Sequence, residues 1–511
     1  MKNRKNILIF TLWMLVLILP YVFGYLFSDH QNVFLGFLIN PIDGLSYLAK
    51  MNQGAHGNWL FHLPYSTVSH PKVFLFSFYI LIGKISNLIF GDLRIGFHFF
   101  RILCAFIFYH QVNLFVDEHF DKGFTSLYLK FGILFGGGLG WLYVISGDLP
   151  ADFWVAEAFP FLSAFVNPHF ILSLALLVFV LRIMNKEKSA ALGKFKLGGA
   201  AFVLSNISPF AVLIGGLILF AGLIWDFHKK NQIRLFNLII YSGAATPFLI
   251  YQFLIVQKVE PLISWNAQNI TPAPIFFNFI FSFSPFLVAN FCLIGLFIYN
   301  KLKLNKLQFV LLCWMIFAMI FVYLPLDLQR RFLVGYFFVN IVLFFSLLTT
   351  LNNKELISLP KMKRSLLILT ILIIPSNLIL LSGAVSATVQ QNENLFVRSS
   401  LIRVSEWLND FGLADGVVLT EAKEGIILPA FTYQRVMAGH PFETPDYEKT
   451  IKQVDTFFEN SLTETPDIFY DQYNINYVLI DKTKWEKLES IFQSQMPVYE
   501  NDDYILFQVR Q

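Results

Sequence analysis

The chain reads as an all-α polytopic membrane core of 11–13 transmembrane helices followed by a C-terminal extracytoplasmic α/β domain. Three observations predict this. Its 511 residues are 56% hydrophobic and only 14% charged, with mean hydropathy +0.59, whereas about a quarter of residues are charged in soluble domains. Apolar runs of about 20 residues, each able to cross the hydrocarbon core as a helix, recur from residue 7 to residue 385. The segment 386–511 differs in kind, holding 20 of the 34 acidic residues but 10 of the 38 basic ones.

The first run, 7–27, follows Lys2, Arg4 and Lys5 and has no small-residue cleavage site. It is read as a retained span rather than a removed signal peptide. Further runs lie at 73–90, 97–116, 125–145, 160–183, 198–225, 235–256, 275–299, 307–324, 332–350 and 365–385. Glycines 136, 137, 138 and 140 fall inside one of them and read as close helix packing. No Lys-Ser/Thr follows them, so a phosphate loop is not supported. The run 198–225 is interrupted by Ser205-Asn206-Ile207-Ser208-Pro209. Pro209 removes a backbone donor, giving either a kinked span or two short re-entrant helices whose freed backbone must be buried or line a wet cavity.

Orientation follows from the basic stretches. The N-terminus, 186–196, 229–234, 301–306 and 354–364 belong on the cytoplasmic side, and the Lys/Arg-poor loops 146–157 and 257–274 outside. Loop 28–72 outside and loop 117–123 inside require an odd number of crossings between them, yet two apolar runs lie there. One of the two has to lie along the membrane or fold back. The expected division is a membrane domain over 1–385, with 28–72 as its first outer loop, and a soluble outer domain over 386–511. In that tail, 416–420, 475–480 and 504–509 read as strands and 399–410, 447–460 and 483–494 as helices. Leu428-Pro429-Ala430 and Gly439-His440-Pro441-Phe442-Glu443-Thr444 read as structural turns that present side chains. The three cysteines lie in apolar runs, and neither a pairing nor a metal spacing can be argued for them.

The long first loop carries the densest chemistry. Asp43 follows Pro41 and either caps a short helix over 44–52 or acts as a general base at the membrane surface. Tyr47, one turn on, shares its face. His62 and His70 flank an aromatic stretch; His70 is the better candidate for acceptor or phosphate contact, with packing or orientation as the alternative. A second carboxylate group, Asp148, Asp152 and Glu157, precedes Asn167-Pro168-His169, and loop solvation competes with catalysis there. Arg330 and Arg331 stand at the mouth of a span, placed to meet phosphate oxygens or to snorkel, with Asp327 near enough to neutralise one of them. A divalent metal is compatible with the histidines and carboxylates, but no ligand spacing supports one.

An N-in first span, the early Asp43 with Tyr47 behind it, Pro64-Tyr65, His70-Pro71, the outer arginine pair and a soluble outer tail form one pattern. On it, the chain resembles the membrane glycosyltransferases of the C superfamily, which use lipid-phosphate-sugar donors, and among these the bacterial members with an α/β tail. The resemblance implies that Asp43 deprotonates the acceptor, that Arg330 and Arg331 contact the donor phosphate, and that the first loop carries juxtamembrane helices. Many members have two adjacent acidic residues where this chain has Asp43-Gly44, so a metal site of that kind has no evident counterpart. Asp152 or Glu157 would then be a second carboxylate from another loop.

The expectation is an integral glycosyltransferase of the bacterial cytoplasmic membrane, working on its outer face. Its candidate catalytic residues are Asp43, Tyr47, Asp152 and Glu157, and its candidate substrate-binding residues are His70, His169, Arg330 and Arg331. Its partners would be a polyprenyl-phosphate sugar, a lipid, glycan or protein acceptor and membrane lipids, without nucleic acid. No cofactor is assigned. The alternative is a transporter or flippase of a lipid-linked or small polar substrate, using the broken run near 205–209. Such a protein would be expected to show internal repeats, and none is evident between the halves.

Overall fold

The structure, a computed structural model, describes residues 2–184, 191–230, 235–493 and 495–510. The basic stretches 186–196 and 229–234 therefore lie partly outside the described residues. Among those described, six helices are long and apolar enough to cross a membrane: Arg4–Leu26, Leu93–His119, Pro209–His228, Leu235–Lys258, Gln329–Asn353 and Leu359–Val389. Counting each of two bent helix pairs as one span gives eight, and Ser77–Ile89, Pro168–Met184 and Lys306–Phe321 are shorter apolar helices. The protein is thus a multi-pass membrane protein. The expectation of 11–13 spans counts each apolar run once; the structure breaks several of them, and of these breaks the sequence predicts only the one near Pro209.

Those breaks have local causes. Run 160–183 is two helices, Pro160–Val166 and Pro168–Met184, with Asn167 extended between them. A residue before proline is driven out of the helical region. Run 125–145 is broken at the glycines, where Gly136 is extended and the flanking helices bend by 46°. Here the glycine run ends a helix, and it packs closely as expected: a side chain at Gly138 would meet the Ser282 carbonyl. Helices Phe276–Phe283 and Phe286–Tyr299 meet at 79°. Run 198–225 is resolved into Ala191–Ile207 and Pro209–His228, and the second is long enough to span by itself. Run 73–90 shrinks to Ser77–Ile89. At 1.5 Å per residue its 13 residues cover about 20 Å, short of the roughly 30 Å hydrocarbon core. Only Leu93–His119 is left to cross between loops 28–72 and 117–123, which meets the odd-crossing requirement.

Contacts divide the chain into two compact units. The first comprises Met1–Pro20, Phe100–Ile250 and Thr271–Val385. At its centre helix Tyr336–Asn353 is almost wholly enclosed. Amide side chains tie it to its neighbours: Asn290 Nδ2 donates to the Asn340 carbonyl at 2.9 Å, and Gln308 Nε2 to the Ser346 carbonyl at 3.1 Å. Arg101, almost fully buried, donates to the carbonyls of Ala164, Phe165 and Leu17 at 3.0–3.2 Å. It thereby satisfies the open C-terminal end of helix Pro160–Val166, just before the break at Asn167.

The second unit comprises Tyr21–Phe99, Tyr251–Ile270 and Ser386–Gln511, so the first loop and the tail fold together. β1 (Asn32–Phe34) in the loop pairs antiparallel with β2 (Phe396–Arg398) at the start of the tail. The tail then builds a five-stranded sheet from β3 (Val417–Leu419), β4 (Arg435–Val436), β5 (Tyr477–Asp481), β6 (Tyr499–Glu500) and β7 (Tyr504–Gln508), in the order β4-β3-β5-β7-β6. β4, β3 and β5 are parallel, and β7 and β6 add on antiparallel. Val417, Leu419, Val478, Ile480, Ile505 and Phe507 bury against helices Tyr447–Phe458, Pro466–Tyr473 and Trp485–Phe492. Three strands and three helices fall where the sequence placed them. Leu428-Pro429-Ala430, expected as a turn, instead forms the last turn of helix Ala422–Phe431. In the loop, helix Pro41–Ala55 crosses helix Ser77–Ile89 so closely that a side chain at Gly54 would meet the Ile80 carbonyl, and one at Gly83 the Met51 carbonyl.

Candidate functional site

Helix Pro41–Ala55 positions the first group of candidates. Asn40 adopts a left-handed conformation, φ 50°, and Pro41 starts the helix with its φ already set. Asp43 does not cap this helix; it lies inside the first turn, where the helix dipole favours a carboxylate. Asp43, Ser46, Tyr47 and Lys50 are spaced i, i+3, i+4 and i+7 and share one face. The Tyr47 ring stacks on Tyr79 with centroids 4.4 Å apart. Lys50 is 1% exposed and donates to Glu443 Oε1 at 2.7 Å. Ser46 Oγ also donates to that oxygen, and the Lys50 ammonium lies 4.3 Å from the Phe76 ring centroid. Burial pushes the Glu443 carboxyl up, but the Lys50 charge, the neighbouring His440 ring and the hydrogen bonds from Lys50 and Ser46 more than reverse this and hold it below its usual range.

Glu443 belongs to the turn at 439–444, read from the sequence as structural. In this turn Glu443 N–H and Thr444 N–H both donate to the His440 carbonyl, and Gly439 N–H donates to Thr444 Oγ1. Gly439 lies directly against the Gly425 carbonyl, leaving no room for a side chain. The turn brings His440 Nε2 to 3.4 Å from Asp43 Oδ1. The Asp43 side chain stays 41% exposed, while that of His440 is 3% exposed. Nothing in the sequence joins Lys50 to Glu443 or His440 to Asp43, because the partners lie nearly four hundred residues apart. The one available signal was a lysine and a serine on the same helical face as Asp43.

His70 uses both ring nitrogens within its own loop. Leu63 N–H donates to Nε2 at 2.9 Å, and Nδ1 lies 2.9 Å from the Pro71 carbonyl. A phosphate contact would require one of these bonds to be given up. His62 is buried, with Nε2 3.6 Å from Asp415 Oδ1, and burial pushes it down to about 4, so the ring is neutral at physiological pH.

In the first unit, Asp152 and Glu157, read from sequence as exposed, are both buried, while Asp148 is exposed. Glu157 Oε1 lies 3.5 Å from Arg330 Nε and 3.3 Å from Arg331 Nη1. Glu157, not Asp327, is therefore the carboxylate that meets the arginines. One carboxylate between two guanidiniums leaves a net positive charge, and the arginine side chains remain 20% and 28% exposed. Arg330 lies over the Trp154 ring and Arg331 over Phe170, whose own ring is 4.1 Å from that of His169.

Asp152 is placed apart from this group in its bonding. Its Oδ2 accepts from Gly138 N–H at 3.1 Å, Gly140 N–H at 3.2 Å and Ser376 Oγ at 2.6 Å. Burial pushes its carboxyl up to about 6. A raised folded-state value means that its contribution to stability is full below 3.8 and is lost as pH rises through about 6. Asp152→Asn keeps an acceptor for the same three donors and removes the buried charge. It should melt higher than wild type above pH 6, by on the order of 2 kcal/mol, and converge with it at pH 4. Thermal melts at the two pH values check this, and retained activity in the same variant would mark Asp152 as structural rather than catalytic. Among the described residues no three His, Cys, Asp or Glu side chains gather to hold a metal ion.

No family model and no curated protein matches the sequence. Solved structures do. The archaeal oligosaccharyltransferase AglB from Archaeoglobus fulgidus, in complex with an inhibitory peptide and a dolichol-phosphate, aligns at TM-score 0.50 with 14% identity, covering 93% of this chain and 70% of that one. ArnT from Cupriavidus metallidurans bound to undecaprenyl phosphate aligns at TM-score 0.50 with 9% identity, covering 96% of this chain and 97% of that one. The likeness establishes the fold alone: a helical membrane core with a small C-terminal sheet domain, shared with these two proteins.

Proposed function

We propose that the protein is a glycosyltransferase that moves a sugar from a polyprenyl-phosphate donor to an acceptor hydroxyl on the outer face of a bacterial cytoplasmic membrane. Asp43 takes the acceptor's proton. The acceptor oxygen attacks the anomeric carbon, the bond from that carbon to the phosphate oxygen breaks with inversion, and the polyprenyl phosphate leaves as an anion. Arg330 and Arg331 hold that phosphate. The observation that carries the reading is the state of the first-loop helix face: Ser46 and Lys50 are buried against Glu443, and Asp43 remains the accessible acid on that face. A net-positive arginine pair and a fold shared with proteins solved with dolichol-phosphate and undecaprenyl phosphate support the donor class.

The test is purified protein in vesicles supplied with undecaprenyl-phosphate hexoses and pentoses. The expected result is release of undecaprenyl phosphate with transfer of the sugar. Movement of the labelled lipid across the bilayer without sugar release would reject the proposal in favour of a transporter. In the same assay Arg331→Gln should raise the donor KM about tenfold, since a charge-assisted phosphate contact contributes about 1.5–3 kcal/mol. An unchanged KM would remove this arginine from the phosphate site.

A further inference from the structure

We infer that the C-terminal segment completes the reaction site: His440 is a positioning residue that orients the Asp43 carboxylate, and the buried Lys50–Glu443 pair sets its reach. The inference rests on the reading of Asp43 as the base. It adds a residue from the tail, nearly four hundred positions away, that the sequence does not assign.

The chemistry of the ring argues for orientation rather than proton shuttling. Phe442 N–H donates to His440 Nδ1 at 3.1 Å, which makes Nδ1 an acceptor and leaves the ring proton on Nε2. Nε2 is buried, lies 3.4 Å from Asp43 Oδ1, within ion-pair distance, and makes no hydrogen bond among the described residues. A second proton on the ring would break the bond from Phe442. The imidazole therefore holds its remaining N–H, otherwise unused, beside the carboxylate. On the other side Asn40 Nδ2 lies 3.3 Å from Asp43 Oδ2, so a donor side chain flanks each oxygen.

The turn that carries His440 is itself held from three sides. Lys50 and Ser46 grip Glu443, three residues on. Gln268 Nε2 donates to the Thr444 carbonyl at 2.5 Å, and Ser264 Oγ lies 3.0 Å from Asp446 Oδ1. Tyr65, fully buried, lies with its ring centroid 5.8 Å from that of His440. A fully desolvated lysine–glutamate pair is a poor source of net stability, because desolvation offsets most of its attraction. Fixing the register of a turn on a helix is a role that such a pair fills well.

The test compares His440→Phe, His440→Leu and His440→Gln in the full-length protein, using whichever undecaprenyl-phosphate sugar supports wild-type turnover. Phe and Leu remove the donor; Gln keeps one. The expected result is a kcat loss of about 10–100-fold for Phe and Leu with donor KM within about twofold, and recovery of most of the rate in Gln. Wild-type kcat in His440→Phe, or equal losses in all three variants, overturns the positioning role and leaves Asp43 as the base. Wild-type turnover in Asp43→Asn overturns the reading of the base itself. If His440→Phe fails to elute as a folded species, the Leu and Gln pair carries the comparison.

Discussion

On the proposed reading, Asp43→Asn should abolish sugar transfer to within background, a loss of about 10²–10⁴ in kcat, while the protein folds and melts as wild type. The substitution is nearly isosteric. Its amide oxygen still faces the ring nitrogen of His440, 3.4 Å from the present carboxylate oxygen, so the pairing with the tail survives. With the side chain 41% exposed, no buried charge is created or removed, and the melting temperature should move by no more than about 1 °C. On the proposed reading, what is lost is the ability to accept the acceptor's proton. Initial rates at saturating donor check this, and the donor KM should not change, because the phosphate is assigned to other residues. A variant that turns over normally would end the role of Asp43 as base.

Lys50→Met destabilises the second unit by about 3–5 kcal/mol, which lowers its melting transition by on the order of 10 °C. Removing the ammonium leaves the Glu443 carboxylate buried with Ser46 as its remaining side-chain donor. The double variant Lys50→Met/Glu443→Leu replaces both charges with apolar groups and should recover most of the loss, because the cost lies in the unpaired charge rather than in the missing attraction. Full recovery of melting without recovery of transfer would show that the pair sets geometry rather than stability. The pH dependence has a definite sign. Glu443 is held below its ordinary value of 4.5, so the pair contributes fully at neutral pH and its contribution falls away as the medium is acidified below that value. A single-variant loss under 1 kcal/mol would contradict the observed burial.

Much of this molecule was legible in the linear chain. Asp43 was found because Pro41 announces a helix start and an acid follows in a long polar loop. The strands at 417–419, 477–481 and 504–508 were found because short β-branched and aromatic runs stand out in a polar segment. The unpaired crossing between loops 28–72 and 117–123 was visible as a contradiction before any coordinates; the 13-residue length of Ser77–Ile89 resolves it. Other features were illegible for reasons that can be named. β1 and β2 are three residues each and carry no detectable period. Asp327, three residues away, is the neighbour the sequence offers the arginines, and only folding brings Glu157 to 3.3 Å from Arg331. The buried state of Asp152 depends on Ser376, more than two hundred residues away.

By itself the sequence determined the membrane class, the interruption at Pro209, the acidic tail and an acid at the start of the first-loop helix. These are local properties, set by transfer of apolar side chains out of water and by which backbone angles each residue tolerates. The tertiary structure alone decided that the tail folds onto the first loop, that Lys50 meets Glu443 and that His440 reaches Asp43. Each of those pairings joins residues that packing brings together, and no short-range preference encodes such a contact.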